Sequence, residues 1–300
     1  MDLTVKIRNK TLPNPVGVAS GTFGYGEEYA QLTDLSALGA LYTKALTVEP
    51  RPGNALPRLV ETPAGMINSI GLANVGVERF LTEKIPYLET LTCPVILNVA
   101  GSTEEEYASV ISRVDSQNAI WAYEVNISCP NVKHGGMAFG TDPVQVERLT
   151  KTLRKLTDKA IIMKLTPNVT DIALIAQAAE AGGADAISCI NTVMGMVVDI
   201  NSRKPAIPAI SGGLSGPAIR PVGVAAVWRV SRVVTIPVIG LGGILTWEDA
   251  VQYLLAGADA IQIGTGNFVT PDASVKVLNG IISYMKEAGF QKIEDFHGHF

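Results

Sequence analysis

Residues 160–190 read AIIMKLTPNVTDIALIAQAAEAGGADAISCI, and this stretch decides the predicted fold. Continuous apolar runs at 160–165 and 184–190 flank an amphipathic segment at 171–181, which is followed by Gly182 and Gly183. Apolar runs that do not alternate are typical of parallel strands buried on both faces, and glycine commonly ends a helix. The stretch therefore predicts a strand, a helix and a second parallel strand.

The same unit recurs along the whole chain. Further apolar runs occupy residues 16–20, 41–46, 95–99, 122–128, 237–241 and 260–263, and further amphipathic segments occupy 145–156, 222–230 and 247–255. Eight strands that alternate with helices predict an α/β fold, a (β/α)8 barrel, which typically has about 250 residues. A doubly wound sheet rarely has eight parallel strands.

The rest of the length is assigned to additions on a single domain spanning residues 1–300. Leu3, Val5 and Ile7 alternate with polar residues before a turn, which predicts an N-terminal β-hairpin closing one end of the barrel. Insertions are expected after strands two, four and six. The first (47–94) carries a helix near 77–91, and the third covers 192–219. Long loops in compact domains are often functional.

Composition narrows the class of partner. The 300 residues are 47% hydrophobic and carry 24 Lys and Arg against 28 Asp and Glu, a net charge of -4. This balance argues against nucleic acid or an anionic membrane as partner. No run reaches the roughly 18 apolar residues of a membrane span, and no signal region is seen at the start, so we expect a cytoplasmic protein. Cys93, Cys129 and Cys189 form no C-x-x-C pair, which disfavours a disulfide framework or an iron–sulfur cluster on this chain.

Polar residues end the predicted strands, where barrel enzymes carry their chemistry. They are Ser20, Lys44, Asn98, Asn126, Lys164, Asn191 and Thr192. The set contains no carboxylate pair and no histidine, which disfavours hydrolysis by paired acids and a zinc site. The glycine clusters after strands seven and eight match the usual phosphate site of barrels, although each could be only a tight turn.

Two interpretations of the lysines stay open. Lys164 or Lys44 could form a Schiff base, or either could be a fixed cation beside an electron-rich cofactor. The three asparagines together suit a cyclic amide or the edge of a flavin. Cys129 lies in a loop with Lys133 and His134 nearby in sequence, and nearby cations favour a reactive thiol. Cys93 and Cys189 are expected to be buried and inert.

These segments, taken in order, resemble the family 1 dihydroorotate dehydrogenases, and most closely the catalytic subunits of the type 1B group. The matching motifs are 19–24 (ASGTFG), 43–47 (TKALT), 68–72 (NSIGL), 98–101 (NVAG), 126–131 (NISCPN), 164–168 (KLTPN), 191–192 (NT) and the two glycine clusters. Each motif alone is weak, whereas the ordered set covers nearly the whole chain.

The resemblance implies an FMN enzyme that oxidises (S)-dihydroorotate to orotate in pyrimidine biosynthesis, with Cys129 as general base. The implied FMN contacts are Ser20, Lys44, Ala45, Asn98, Asn126, Lys164, Ile190, Gly216, Gly242, Gly243, Gly264 and Thr265. The implied substrate contacts are Lys44, Asn68, Ser69, Ile70, Gly71, Leu72, Asn126, Asn191 and Thr192. No metal is implied.

The resemblance also implies a partner subunit that carries FAD and a 2Fe–2S cluster and passes electrons to NAD⁺. Two catalytic and two partner chains would form a heterotetramer around a central dimer of barrels. The alternatives are a type 1A-like homodimer that reduces fumarate, a lyase that uses Lys164 as a Schiff base, and a non-catalytic binder of a phosphorylated ligand.

Overall fold

A closed barrel of eight parallel strands forms the centre of the computed structural model, which describes residues 1–128 and 139–299. Within those residues the strands are β1 (Val5–Ile7), β2 (Lys10–Leu12), β3 (Val16–Val18), β4 (Ala40–Tyr42), β5 (Leu59–Thr62), β6 (Gly65–Asn68), β7 (Val95–Val99), β8 (Ile120–Asn126), β9 (Ala160–Lys164), β10 (Ala186–Cys189), β11 (Val193–Gly195), β12 (Val198–Asp199), β13 (Lys204–Pro205), β14 (Gly212–Ser215), β15 (Val238–Leu241) and β16 (Ala260–Ile263).

The α-helices of the same described residues cover the outside of the barrel. They are α1 (Gly76–Arg79), α2 (Ile85–Leu88), α3 (Glu104–Val114), α4 (Pro143–Arg154), α5 (Ile172–Ala181), α6 (Arg220–Ser231), α7 (Trp247–Leu255), α8 (Gly266–Val269) and α9 (Ala273–Ala288). A wider helical turn, Phe80–Lys84, joins α1 to α2, so the helix predicted near residues 77–91 is present. The four amphipathic segments of the sequence correspond to α4, α5, α6 and α7.

The barrel confirms the predicted fold class. Its strands follow the order β3, β4, β7, β8, β9, β10, β15 and β16, and β16 pairs with β3 to close it. Each of the eight predicted apolar runs overlaps one barrel strand. Strands such as β7 and β9 are buried at every residue, as parallel strands covered on both faces should be.

Helix α3 has a start signal that the sequence prediction did not use. Thr103 precedes the helix and its side-chain oxygen accepts a hydrogen bond from the N–H of Glu106 at 3.2 Å. Glu106 in turn accepts from the N–H of Ser102 at 2.6 Å. A threonine followed three residues later by glutamate is the pattern of such a cap, because the two side chains satisfy N–H groups that the first helical turn leaves open.

The N-terminal hairpin is confirmed as the antiparallel pair β1 and β2. Arg8 lies in the turn of this hairpin, and its Nη1 donates to Oδ1 of Asp185 at 3.1 Å. Asp185 directly precedes β10, so the hairpin lies at the amino end of the barrel strands. The opposite end, where the barrel strands finish, is called the mouth from here on.

The insertions after the second and sixth barrel strands form one sheet at the mouth, whereas the sequence predicts two separate insertions. Its strand order is β11, β14, β6 and β5, so two strands of the later insertion lie beside two strands of the earlier one, with antiparallel pairing throughout. Asn68 lies opposite Gly213, and its side-chain amide donates to the Gly213 carbonyl at 3.2 Å. Most of the insertion after the fourth barrel strand (129–138) lies outside the described residues.

Ile67 packs at the centre of this shared sheet. It lies on β6 between Val60 of β5 and Leu214 of β14 and is 3% exposed. Glycines on β11 and β14 leave room for it: a Cβ atom at Gly195 would lie 3.2 Å from Ile67 Cδ1, and one at Gly212 would lie 2.8 Å from Cγ2. The two insertions therefore share a small apolar core.

None of the helices in residues 1–128 and 139–299 combines the length and the apolar character that crossing a bilayer requires.

We expect Ile67→Ala to lower the free energy of unfolding by about 2–5 kcal/mol, because it removes buried methyl groups between the two insertions. Urea denaturation followed by circular dichroism measures this change. Ile200→Ala is the matched control, since Ile200 belongs to the other of the two insertions and is 84% exposed. It should change stability by no more than about 0.5 kcal/mol. Equal losses in both variants would contradict a shared core at Ile67.

Candidate functional site

Lys164 ends β9 and is the cation at the centre of the mouth. Its side chain is only 4% exposed, and its Nζ lies 3.2 Å from Oε2 of Glu124 and 3.5 Å from Oγ of Ser20. Ser20 follows β3 and Glu124 belongs to β8, so one ammonium group joins three barrel strands. A buried ammonium needs a compensating charge, and Glu124 supplies it.

Glu124 is a residue that the sequence analysis missed. It is fully buried and accepts four hydrogen bonds: Oε2 from Asn98 Nδ2 at 2.6 Å and Lys164 Nζ at 3.2 Å, and Oε1 from Ser188 Oγ at 2.9 Å and Gln262 Nε2 at 2.7 Å. The prediction considered the residues that end strands, whereas Glu124 lies inside one. A charged residue within an apolar run was the signal that could have found it.

The side-chain oxygen of Asn98 is a buried hydrogen-bond acceptor that no described residue satisfies. Its side chain is fully buried, its amide nitrogen donates to Glu124, and its Oδ1 has no hydrogen-bond partner among the described residues. A buried carbonyl oxygen without a partner costs about 1–3 kcal/mol. Asn98 Oδ1 is therefore suited to accept a hydrogen bond from an N–H group of a bound molecule.

Asn126 and Asn191 meet on the next side of the mouth. Nδ2 of Asn191 donates to Oδ1 of Asn126 at 3.3 Å, and the backbone N–H of Ser128 donates to the same oxygen at 3.1 Å. The N–H of Thr192 donates to Oδ1 of Asn191 at 2.8 Å. The structure thus brings these three predicted site residues together.

The glycine turn after β15 lies very close to the backbone at Gly216, which follows β14. Gly216, Gly242 and Gly243 have φ angles of +92°, +124° and +72°, and a Cβ atom at Gly243 would lie 2.7 Å from the Gly216 carbonyl oxygen. Among the described residues, the backbone N–H groups of Gly243, Gly264 and Thr265 donate no backbone hydrogen bond outside helices and strands. Such N–H groups after β15 and β16 can hold a phosphate.

Ile190 lies beside these turns. It is 1% exposed, its N–H donates to the Leu241 carbonyl at 3.0 Å, and its Cγ1 would be 3.5 Å from a Cβ atom at Gly242. The hydroxyl of Tyr253 donates to the Gly242 carbonyl at 2.6 Å and holds the turn from the helix side. The turn after β15 is therefore fixed on both sides.

The loop that follows β6 contains the predicted substrate residues. Gly71 and Leu72 have φ angles of +73° and +55°, so the backbone turns sharply there. Nδ2 of Asn54 donates to the hydroxyl and the carbonyl of Ser69 at 2.8 and 3.1 Å. Nδ2 of Asn74 donates to the Leu72 carbonyl at 2.8 Å. These hydrogen bonds fix Ser69, Ile70, Gly71 and Leu72 beside the shared sheet.

Lys44 follows β4 and is half-buried. Burial lowers the pKa of its amine, the nearby Arg58 lowers it further, and Glu28 acts in the opposite direction. Within the described part of the chain its side chain makes no hydrogen bond to another predicted site residue. Ala45, next in the chain, is buried.

Two of the three cysteines lie in the described part of the chain, and both are buried. Cys93 and Cys189 are buried, as predicted, and burial raises the pKa of their thiols to about 11 and about 12. Cys129, together with Lys133 and His134, lies outside the described residues, so its predicted role stays a prediction. No group of three or more His, Cys, Asp or Glu residues that could hold a metal ion occurs in 1–128 or 139–299.

These features define a (β/α)8-barrel protein whose polar side chains and open backbone N–H groups meet at the mouth. A model of the dihydroorotate dehydrogenase family matches residues 2–285. A protein of Pelobacter propionicus named dihydroorotate dehydrogenase B (NAD(+)), catalytic subunit, is 51% identical over 297 residues, 99% of this chain and 98% of the relative. The chain therefore belongs to the dihydroorotate dehydrogenase family.

Other matches agree with this assignment. A protein with the same name from Desulforamulus reducens is 50% identical over 298 residues, 99% of this chain and 98% of the relative. A crystal structure of the Eimeria tenella DHODH in complex with ferulenol superposes with a TM-score of 0.80 at 21% identity, covering 98% of this chain and 87% of that one. The first supports the resemblance drawn from the motifs, and the second supports the fold.

We expect Cys93 and Cys189 of the native protein to resist thiol reagents at pH 8. Their raised pKa values leave almost no thiolate until the pH approaches 11 to 12, and burial blocks access. Labelling followed by peptide mapping measures this directly, and protein unfolded in guanidinium provides the control in which both must react. Rapid native labelling of either peptide at pH 8 would show that the burial is wrong.

Proposed function

We propose that this chain is the catalytic subunit of an NAD⁺-linked dihydroorotate dehydrogenase. In this proposal it oxidises (S)-dihydroorotate to orotate in pyrimidine biosynthesis, with FMN as first electron acceptor. It works in the cytoplasm as a single barrel domain over residues 1–300. The family membership and the names of its relatives support the reaction.

One observation carries the cofactor assignment: a buried cation and open N–H groups for a phosphate share a single mouth. Lys164 provides the cation, and Gly243, Gly264 and Thr265 provide the N–H groups. At the same mouth Asn98 offers a buried oxygen that has no hydrogen-bond partner in residues 1–128 or 139–299. A molecule with a phosphate at one end and a polar, electron-accepting ring at the other fits this set, and FMN is such a molecule.

The proposed FMN contacts surround the mouth at the ends of all eight barrel strands and beside the shared sheet. They are Ser20, Lys44, Ala45, Asn98, Asn126, Lys164, Ile190, Gly216, Gly242, Gly243, Gly264 and Thr265. When bound, the flavin supplies a ring that accepts hydride from the substrate. Lys164 holds a positive charge beside that ring, and a fixed charge in a site shielded from water acts strongly on negative charge that develops nearby.

The proposed substrate contacts lie on the insertions and strand ends next to that set. They are Lys44, Asn68, Ser69, Ile70, Gly71, Leu72, Asn126, Asn191 and Thr192. Dihydroorotate is an anionic cyclic ureide. Its carboxylate suits the Lys44 amine and the backbone N–H groups near Gly71, and its amide groups suit the paired side chains of Asn126 and Asn191.

Cys129 is proposed as the general base, whose Sγ takes a proton from the ring methylene of the substrate. Its motif, residues 126–131, begins at Asn126, the last residue of β8, the strand that also carries Glu124. The Schiff-base alternative is less consistent with the geometry. Glu124 holds the Lys164 ammonium by a charge-assisted hydrogen bond, and this arrangement suits a fixed cation better than a nucleophilic amine.

A partner subunit completes the proposal. It would carry FAD and a 2Fe–2S cluster, receive electrons from FMN and reduce NAD⁺, in a heterotetramer with a central dimer of barrels. The relatives' name, catalytic subunit, supports the existence of such a partner for them.

We expect the purified chain to release FMN on heating and Cys129→Ala to keep that FMN bound. Anaerobic stopped-flow mixing with dihydroorotate should show FMN reduction slowed by roughly 10²–10⁴-fold, the usual contribution of a general base. Cys129→Ser should be nearly as slow near neutral pH, since a hydroxyl is far less acidic than a thiol. Cys93→Ala, at a buried cysteine away from the mouth, is the control and should reduce FMN at the parent rate.

Two outcomes would count against parts of this assignment. Near-parental FMN reduction in Cys129→Ala would remove Cys129 from the role of base. Release of FAD, or of no flavin, by the parent chain would contradict the assignment of the mouth to FMN.

The chain alone is expected to reduce NAD⁺ very slowly with dihydroorotate, and the addition of its partner subunit should restore the rate. Steady-state assays of the chain with and without the partner, with NAD⁺ or fumarate as acceptor, measure this. Brisk fumarate-dependent turnover by the chain alone would instead indicate the type 1A-like homodimer, while leaving the oxidation of dihydroorotate intact.

A further inference from the structure

We propose that Glu124 is a positioning residue that fixes which hydrogen-bonding groups of Lys164 and Asn98 face the ligand at the mouth. The inference rests on the proposed function for the identity of that ligand. Glu124 itself is fully buried beneath these two side chains and need not touch the ligand. Glu124 would act on ligand binding through the Asn98 amide and the Lys164 ammonium, which it holds in place.

The carboxylate of Glu124 is held in place by residues that have no proposed ligand contact. Oε1 accepts from Ser188 Oγ at 2.9 Å and from Gln262 Nε2 at 2.7 Å. Ser188 lies on β10 and Gln262 on β16, two barrel strands that β15 separates. Since hydrogen bonds from two other strands constrain Oε1, the other oxygen, Oε2, keeps a defined direction.

Oε2 then decides the orientation of the Asn98 amide. An ionised carboxylate only accepts hydrogen bonds, so the Asn98 side chain must present its NH₂ group to it. The observed distance of 2.6 Å is that of a strong hydrogen bond to a charged acceptor. Oδ1 of Asn98 is consequently left as an acceptor without a described partner. A glutamine at position 124 would remove this constraint, because its amide can pair with either end of Asn98.

The same oxygen fixes the Lys164 ammonium. Lysine has three N–H donors, of which one is directed to Glu124 at 3.2 Å and one lies 3.5 Å from Ser20. The described part of the chain gives the third donor no partner, so it can serve a ligand. Glu124 therefore keeps the charge of Lys164 compensated while the ammonium stays buried and pointed in one direction.

A contribution to stability alone does not account for this arrangement. Replacing a buried ion pair by apolar residues is often neutral or stabilising, because desolvation cancels most of the attraction. Four donors from four other strands converge on one carboxylate, and two of those donors belong to proposed ligand contacts. Fixed orientation of ligand-binding groups is the benefit that this geometry provides.

The test compares FMN affinity in the full-length chain, freed of flavin, for the parent, Glu124→Gln, Lys164→Gln and the double variant. Quenching of FMN fluorescence gives each dissociation constant, and the visible spectrum of bound FMN reports its surroundings. We expect Glu124→Gln to weaken binding by about tenfold or more, the usual effect of losing hydrogen bonds to a charged group, and to shift the flavin absorption bands. The double variant should lose less than the product of the two single losses, because both substitutions act on the same contact.

Tyr123→Phe is the control for a general weakening of β8. The Tyr123 hydroxyl donates to Asp115 Oδ1 at 2.9 Å, away from the mouth, so its loss should lower the melting temperature and leave FMN affinity unchanged. If Glu124→Gln fails to fold because Lys164 is left unpaired, the double variant, which has no buried cation, is compared with Lys164→Gln alone. Weaker binding with an altered flavin spectrum in the double variant supports the proposal through Asn98.

Three results would overturn the inference. They are parental FMN affinity in Glu124→Gln, single losses that multiply in the double variant, and a loss of affinity in Tyr123→Phe equal to that of Glu124→Gln. Failure of the parent chain to bind FMN would instead refute the proposed function, so the two failures are distinguishable.

Discussion

A single buried carboxylate connects the interior of the barrel to its mouth. Glu124 accepts hydrogen bonds from β7, β9, β10 and β16, and one of those donors is the Lys164 ammonium. A lone charge of either sign at this depth would be strongly unfavourable, and together they are tolerable only with their remaining hydrogen bonds satisfied. The cation that the proposed chemistry needs can therefore stay out of water only because the barrel brings five strands around one carboxylate.

The predicted parts of the fold are those with local signals. Each barrel strand is a short apolar run, and the pattern could be seen without knowing its neighbours. The partners of Glu124 lie 26, 40, 64 and 138 residues away in sequence, so no local pattern announces them. The residues at strand ends, such as Lys164 and Asn126, were found because the barrel itself predicts where those ends meet. Glu124 was missed because it precedes the end of its strand.

The shared sheet was missed for a related reason. Its paired strands β6 and β14 are short and rich in glycine, which has a low preference for strands, and Asn68 and Gly213 are 145 residues apart. Each insertion alone resembles a loop. Only the closed barrel brings both to the same place, where each supplies the hydrogen bonds that the other lacks. The residues proposed to bind substrate are consequently attached to a sheet rather than to free loops.

The proposed FMN contacts and the proposed substrate contacts therefore lie on different parts of the fold. Most proposed FMN contacts lie at the ends of barrel strands, whose positions are fixed by the buried network and by closely packed turns such as that at Gly243. Most proposed substrate contacts lie on the shared sheet and the loop held by Asn54 and Asn74. A flavin stays bound through many turnovers and benefits from rigid strands, whereas substrate and product must exchange, which is easier at a surface insertion. The same division explains why Lys164 is buried while Lys44 is only half-buried.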